Sequence, residues 1–234
     1  MFFDPVYLLF IAPALLLSLW ASWKTKSAFN KYSRVAAANG FTGAQAAQVL
    51  LDRAGIHDVK IVPTHGFLSD HYNPVNKTLA LSEPVYGSRS IAAVGVACHE
   101  AGHAIQHATA YKPLWLRSAL VPTAGIGSSV GYMMMLIGLM LSSSSMGTNL
   151  VLFGAMLFSM VLLFQIVTLP VEFDASARAK RLAFEYGLVL EQERAGMAKV
   201  LNAAALTYVA AAVSTLMTLL YFLLRSGLLG GRRD

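Results

Sequence analysis

Charge is what this sequence has least of. Asp, Glu, Lys and Arg make up 13% of its 234 residues, against about 25% in a typical soluble domain. Mean hydropathy is +0.56. The shortage is concentrated, because none of the four occurs between Arg117 and Glu172, from Val200 to Leu224, or from Pro5 to Trp23. Such runs exclude an ordinary soluble domain, and in lipid their backbone polar groups must be satisfied within the segment, which points to helices. Cysteine is scarcer still. Cys98 stands alone, so there is no internal disulfide, and the chain fits a reducing compartment. Acidic residues are also few, 12 against 18 Lys and Arg, for a net charge of +6. That excess calls for no nucleic-acid partner, since most of it flanks the apolar runs, where anionic lipid headgroups account for it.

What is present instead is a set of four apolar spans, at about 5–23, 118–141, 149–171 and 202–224. The first lacks the basic start and small-residue cleavage site of a removable signal, and Trp20 and Trp23 close it as an interfacial belt; it reads as a retained anchor. The Ser-rich stretch 142–149 reads as the turn between the second and third spans. Lys24, Lys26, Lys31 and Arg34 follow the first span, and Arg178, Lys180 and Arg181 follow the third. The positive-inside rule then places the N-terminus outside, with polar segments 24–117 and 172–201 in the cytoplasm. Arg225, Arg232 and Arg233 would lie outside and argue mildly against this. The expected architecture is one predominantly α, polytopic membrane domain over 1–234, carrying a small cytoplasmic α+β layer.

Within that layer, Thr42 followed by Gln45 has the capping-box pattern of a helix start, and Gly55 closes the helix. "VKIVPT" (59–64) is β-branched and "KTLALS" (77–82) alternates, with Asn73-Pro74 as a turn signal between them. A short antiparallel sheet is expected. Ser90 to about Ala110 reads as a helix, and no internal repeat is evident.

That helix carries "HEAGH", residues 99–103. Histidines at i and i+4 share one helical face and can share a metal. Glu100 is offset around the helix, where it can reach a metal-activated water as general base. A bare HExxH arises by chance often enough to be weak alone. Here it lies on an expected helix beside a strand pattern, in a chain with 6 His and 12 acidic residues. A catalytic zinc needs three protein ligands and an open position. Position 109, where one HExxH class has its third histidine, is Thr109. His107 lies about 12 Å along the axis from His99 at 1.5 Å per residue, too far to share the ion. Cys98 reads as a small packed side chain. Glu172 is the first acidic residue after the motif and emerges at the cytoplasmic end of the third span, so it is the best third ligand.

"DHYNPVNKTLALSEPVY", "VACHEAGHAIQHA" and "TLPVEFDASARA" together resemble the hallmark blocks of the YugP-like neutral membrane zinc metallopeptidases. More distantly they resemble HtpX-type and CAAX prenyl proteases. The resemblance, covering about 1–224, implies a zinc peptidase of the bacterial cytoplasmic membrane, with His99, His103 and Glu172 as ligands of one Zn²⁺ and Glu100 as catalytic acid/base. One departure concerns the residue that orients a ligand histidine. The broader pattern has Asp four residues after the ligand Glu, and here position 176 is Ser, with Asp174 only two residues on. Either Ser176 orients the histidine or Asp174 precedes the regular helix. His71, Tyr72, His107 and Arg178 remain open as oxyanion donors, with His107 and His71 also placed to line the cleft. Thr78, Leu79, Ala80 and Leu81 are expected to form an edge strand that binds substrate backbone.

The expected activity is hydrolysis of peptide bonds in membrane proteins or their cytoplasmic tails. A membrane-protein partner or a homo-oligomer also suits such a chain. The alternative is a non-catalytic zinc-stabilised scaffold that recruits a membrane partner, and Glu100 separates the two, since a scaffold has no use for it.

Overall fold

The computed structural model describes residues 4–141 and 144–229. The chain runs through eight α-helices and three strands among these residues. They are α1 (Pro5–Tyr32), α2 (Gly43–Arg53), β1 (Lys60–Thr64), β2 (His71–Asn73), β3 (Thr78–Ser82), α3 (Glu83–Tyr86), α4 (Ile91–Ala108), α5 (Lys112–Ile126), α6 (Tyr132–Met140), α7 (Ser145–Glu185) and α8 (Glu191–Arg225). A π-helical turn, Gly127–Gly131, joins α5 to α6. Four stretches are long and apolar enough to cross a membrane: Pro5–Tyr32, Lys112–Met140, Ser145–Glu185 and Glu191–Arg225. Each extends beyond the apolar run that defines it, because charged residues at a span's end do not stop a helix. The turn expected at 142–149 is shorter, since α7 already begins at Ser145; Ser142 and Ser143, like Arg232 and Arg233, lie outside the described residues.

The chain divides into two compact units, each assembled from separate segments. The first comprises 1–20, 116–169 and 207–234. Its buried centre is Met135, Val151, Phe158, Tyr221 and Phe222. Small residues let α6 and α7 approach closely there; a Cβ on Gly138 would meet the Gly147 carbonyl oxygen at 2.7 Å. In the same unit the Arg225 guanidinium donates to Asp4 at 3.0 Å.

The second unit comprises 21–115 and 170–206. Its axis is α4, whose apolar residues are buried almost all round: Ala92, Ala93, Val94, Ala97, Cys98 and Ala101 are fully enclosed. An Ala-rich helix buried on nearly every face belongs in a core, and its short side chains let neighbours come close. Ser90 caps it, its hydroxyl accepting from the Ala93 N–H at 3.2 Å. Leu50 and Leu51 of α2, Leu79 and Leu81 of β3, and Ala179, Ala183 and Met197 of α7 and α8 complete the core. α2 starts as expected, with Thr42 and Gln45 forming the reciprocal capping box, a cap worth about 1 kcal/mol.

The sheet departs from expectation. Strand order is β1-β3-β2, with β1 parallel to β3 and β2 antiparallel to it. The sheet is thus mixed, not simply antiparallel. Thr78, Leu79, Ala80 and Leu81 occupy the central strand, so the edge assignment is corrected. Leu79 and Leu81 are fully buried, which suits a strand paired on both sides. The open edges are β1 and β2, and β2 is only three polar residues long, too short and too hydrophilic for strand periodicity to reveal it.

Candidate metal centre

α4 and α7 meet at Gly102. A Cβ there would lie 2.8 Å from the Ala175 carbonyl oxygen and 3.3 Å from its Cα, so glycine is what allows the two backbones to pass this closely. The approach brings Glu172 of α7 against the histidine face of α4. Glu172 Oε2 lies 3.2 Å from His99 Nε2 and 3.5 Å from His103 Nε2. The two imidazole rings stand edge to face, with centroids 4.8 Å apart.

These three side chains each offer one ligand atom, all within 4.8 Å of one another. Ligands at tetrahedral angles around a zinc with bonds of about 2.0–2.1 Å are spaced by about 3.3 Å. The two nitrogen–oxygen separations bracket that value. Both ligand nitrogens are Nε2, and each Nδ1 has a partner behind it: Ser176 Oγ at 3.1 Å for His99 and Gln106 Oε1 at 2.9 Å for His103. That is the pattern of imidazoles held by the nitrogen that faces away from a metal. The residues present therefore fit a zinc ion.

Electrostatics inside the site follow burial and partners. Burial pushes the Glu172 carboxyl up, but hydrogen bonds from His103 and His99 and their positive potential outweigh it and hold the carboxyl well below the usual carboxylate range. Glu100 sits on α4 between the two histidines, and it is 8% exposed. Burial drives its carboxyl above the ordinary value; His99 and His103 oppose this, and the charges of Glu172 and Asp70 reinforce it. A carboxyl raised above its ordinary value is better matched to accepting and returning a proton.

The other residues singled out in the sequence are distributed as follows. α7 is regular through Glu172 and Ser176, so Ser176, four residues on, shares the face of Glu172 and reaches His99. Asp174 does not reach a histidine; its Oδ2 accepts from Gln106 Nε2 at 2.8 Å and from Arg178 Nε at 2.6 Å. His107 lies outside the metal group and pairs with the Tyr72 hydroxyl at 2.8 Å. His71, exposed on β2, has its Nδ1 2.8 Å from the Ser69 carbonyl oxygen. Cys98 is buried with its thiol pushed up to about 12 by burial, the opposite of what a thiolate ligand needs. The residue that sequence reasoning missed is Gln106. Its signal was available, as an amide one turn beyond His103 in a helix of alanines.

The family described as "Putative neutral zinc metallopeptidase" matches residues 7–227. "Putative membrane protease YugP" of Bacillus subtilis (strain 168) is 48% identical over 211 residues, covering 90% of this chain and 92% of that protein. No solved structure matches the chain. With a match across nearly its whole length and a group of two histidines and a glutamate able to hold a metal, the chain belongs to the YugP-like family of neutral membrane zinc metallopeptidases.

Proposed function

We propose that this protein is an endopeptidase of the bacterial cytoplasmic membrane that cuts membrane proteins or their cytoplasmic tails near the membrane interface. In this reading His99, His103 and Glu172 hold one zinc ion. The observation that carries it is the convergence of two Nε2 atoms and one carboxylate oxygen at zinc-ligand spacing, with Glu100 buried on the same helix. When bound there, zinc supplies Lewis acidity to a peptide carbonyl and lowers the pKa of a water towards ~7. Glu100 accepts the proton of the attacking water and returns it to the departing amine. The HExxH spacing points both histidines at the metal and leaves Glu100 offset from them, free for that proton.

Substrate backbone is laid along the outer edge of β2, which pairs with β3 on its inner side alone. Strand addition at such an edge uses main-chain hydrogen bonds and tolerates many sequences. The active site faces the cytoplasm and the N-terminus lies outside, supported by fifteen Lys and Arg outside the C-terminal stretch against Arg225, Arg232 and Arg233 in it. Lipid is the surrounding medium, and a homo-oligomer or membrane partner is compatible with the exposed apolar helices.

The test uses the protein purified in detergent and then reconstituted beside a single-span substrate with a cytoplasmic tail. Cleavage is expected to stop when a chelator strips the metal and to return on adding zinc. Undiminished cleavage after complete metal removal would contradict a metallopeptidase. Cleavage of an unfolded soluble protein but never of the reconstituted tail would contradict the substrate class.

A further inference from the structure

Gln106 is fully buried, and its amide faces three groups. Nε2 lies 2.8 Å from the Val171 carbonyl oxygen and 2.8 Å from Asp174 Oδ2. A backbone carbonyl can only accept, and so can an ionised carboxylate. The amide nitrogen must therefore face both of them, since the reversed amide would set its oxygen against two other oxygens while Gln106 is fully buried. Gln106 Oε1 is left pointing at His103 Nδ1, 2.9 Å away. An amide oxygen accepts, so His103 carries a proton on Nδ1, and Nε2, the nitrogen that faces Glu172, is the one left to ligate a metal.

The rest of the network holds this arrangement in place. Arg178 Nε donates to the same oxygen of Asp174 at 2.6 Å, and its guanidinium lies 5.6 Å from the centroid of the Tyr111 ring. The Tyr111 N–H donates to the Gln106 carbonyl oxygen at 2.9 Å. Arg178, Asp174, Gln106 and Tyr111 thus form a closed circuit behind His103. His99 is treated differently. Its Nδ1 partner is the Ser176 hydroxyl at 3.1 Å, which can donate or accept and imposes no tautomer.

We propose that Gln106 is the positioning residue that locks His103 as an Nε2 ligand, and that Asp174 and Arg178 act on the metal site only by fixing the direction of the Gln106 amide. The inference rests on reading His99, His103 and Glu172 as the zinc ligands. It also accounts for a carboxylate at position 174, on the far side of the helix from position 176. Asp174 has no need to face a histidine, because an amide carries its influence there.

The test measures zinc affinity by competition with a chelator, on protein in detergent whose helix content and melting are checked without metal. Gln106→Leu is expected to bind zinc 10- to 100-fold more weakly, the usual cost of removing a partner behind a ligand. Gln106→Glu should lose at least as much, because the introduced carboxylate opposes both the Val171 carbonyl and Asp174. Adding Asp174→Asn to Gln106→Glu restores a donor opposite that carboxylate and should recover part of the affinity. A merely structural role predicts the reverse, with the double variant no better than the single one. Independently of any variant, ¹⁵N spectra of the zinc-loaded wild type should show His103 with its proton on Nδ1 and metal on Nε2. Metal on Nδ1, or unchanged affinity in a folded Gln106→Leu, overturns the proposal. If wild type binds no zinc, or Glu172→Ala binds it as tightly, the zinc reading itself has failed, which is a different result.

Discussion

Glu100→Gln is expected to keep its zinc and to lose between ~10²- and ~10⁴-fold in kcat, the range supplied by a positioned acid–base group. The substitution is nearly isosteric, so a side chain 8% exposed meets no new steric demand. Neither ligand histidine depends on it, since His99 and His103 take their Nδ1 partners from Ser176 and Gln106. What the amide lacks is a basic oxygen. Burial pushes the native carboxyl upward, which suits it to take a proton from water, whereas an amide cannot hold that proton at any accessible pH. Single-turnover cleavage alongside zinc content makes the check. A variant with full zinc and wild-type cleavage would remove Glu100 from the chemistry and restore the scaffold alternative. A variant without zinc would show that the residue acts on the metal instead.

Glu172→Ala is expected to weaken zinc binding by more than ~100-fold, beyond the cost of losing a group behind a ligand, and to abolish cleavage at ordinary zinc levels. Three protein ligands and an open position define a catalytic zinc site, and removing one leaves two imidazoles from a single helix. The fold should survive, because alanine favours the helical state and α7 continues in both directions from position 172. The two histidines lose the carboxylate that both Nε2 atoms face. Zinc titration with parallel circular dichroism separates lost ligation from unfolding. Native zinc affinity in the folded variant would mean that the third ligand lies elsewhere.

The parts of this molecule that were legible in its sequence are those governed by local rules. Four apolar runs became four long helical stretches, since lipid leaves the backbone few alternatives. Thr42 and Gln45 announced a helix start because a capping box is made within four residues. His99 and His103 could be placed on one face by counting. Glu172 could be nominated by chain order, although its 3.2 and 3.5 Å approaches depend on Gly102 admitting the Ala175 backbone, a tertiary fact. Strand order was not legible. β3 looked like an edge because β2 is three polar residues, and pairing between strands that are not neighbours in sequence leaves no periodic trace. Gln106 escaped for a related reason. An amide's role is set by what stands opposite it, and Val171 and Asp174 are 65 and 68 residues away along the chain.

The most direct measurement of the central claim is zinc K-edge X-ray absorption on the purified wild-type protein. One zinc per chain is predicted, with two imidazoles at about 2.0–2.1 Å, the remaining ligands oxygen, and no sulfur. A sulfur ligand at ~2.3 Å, which could come only from Cys98 or a methionine, or a site with fewer than two imidazoles, would contradict the assignment of His99, His103 and Glu172.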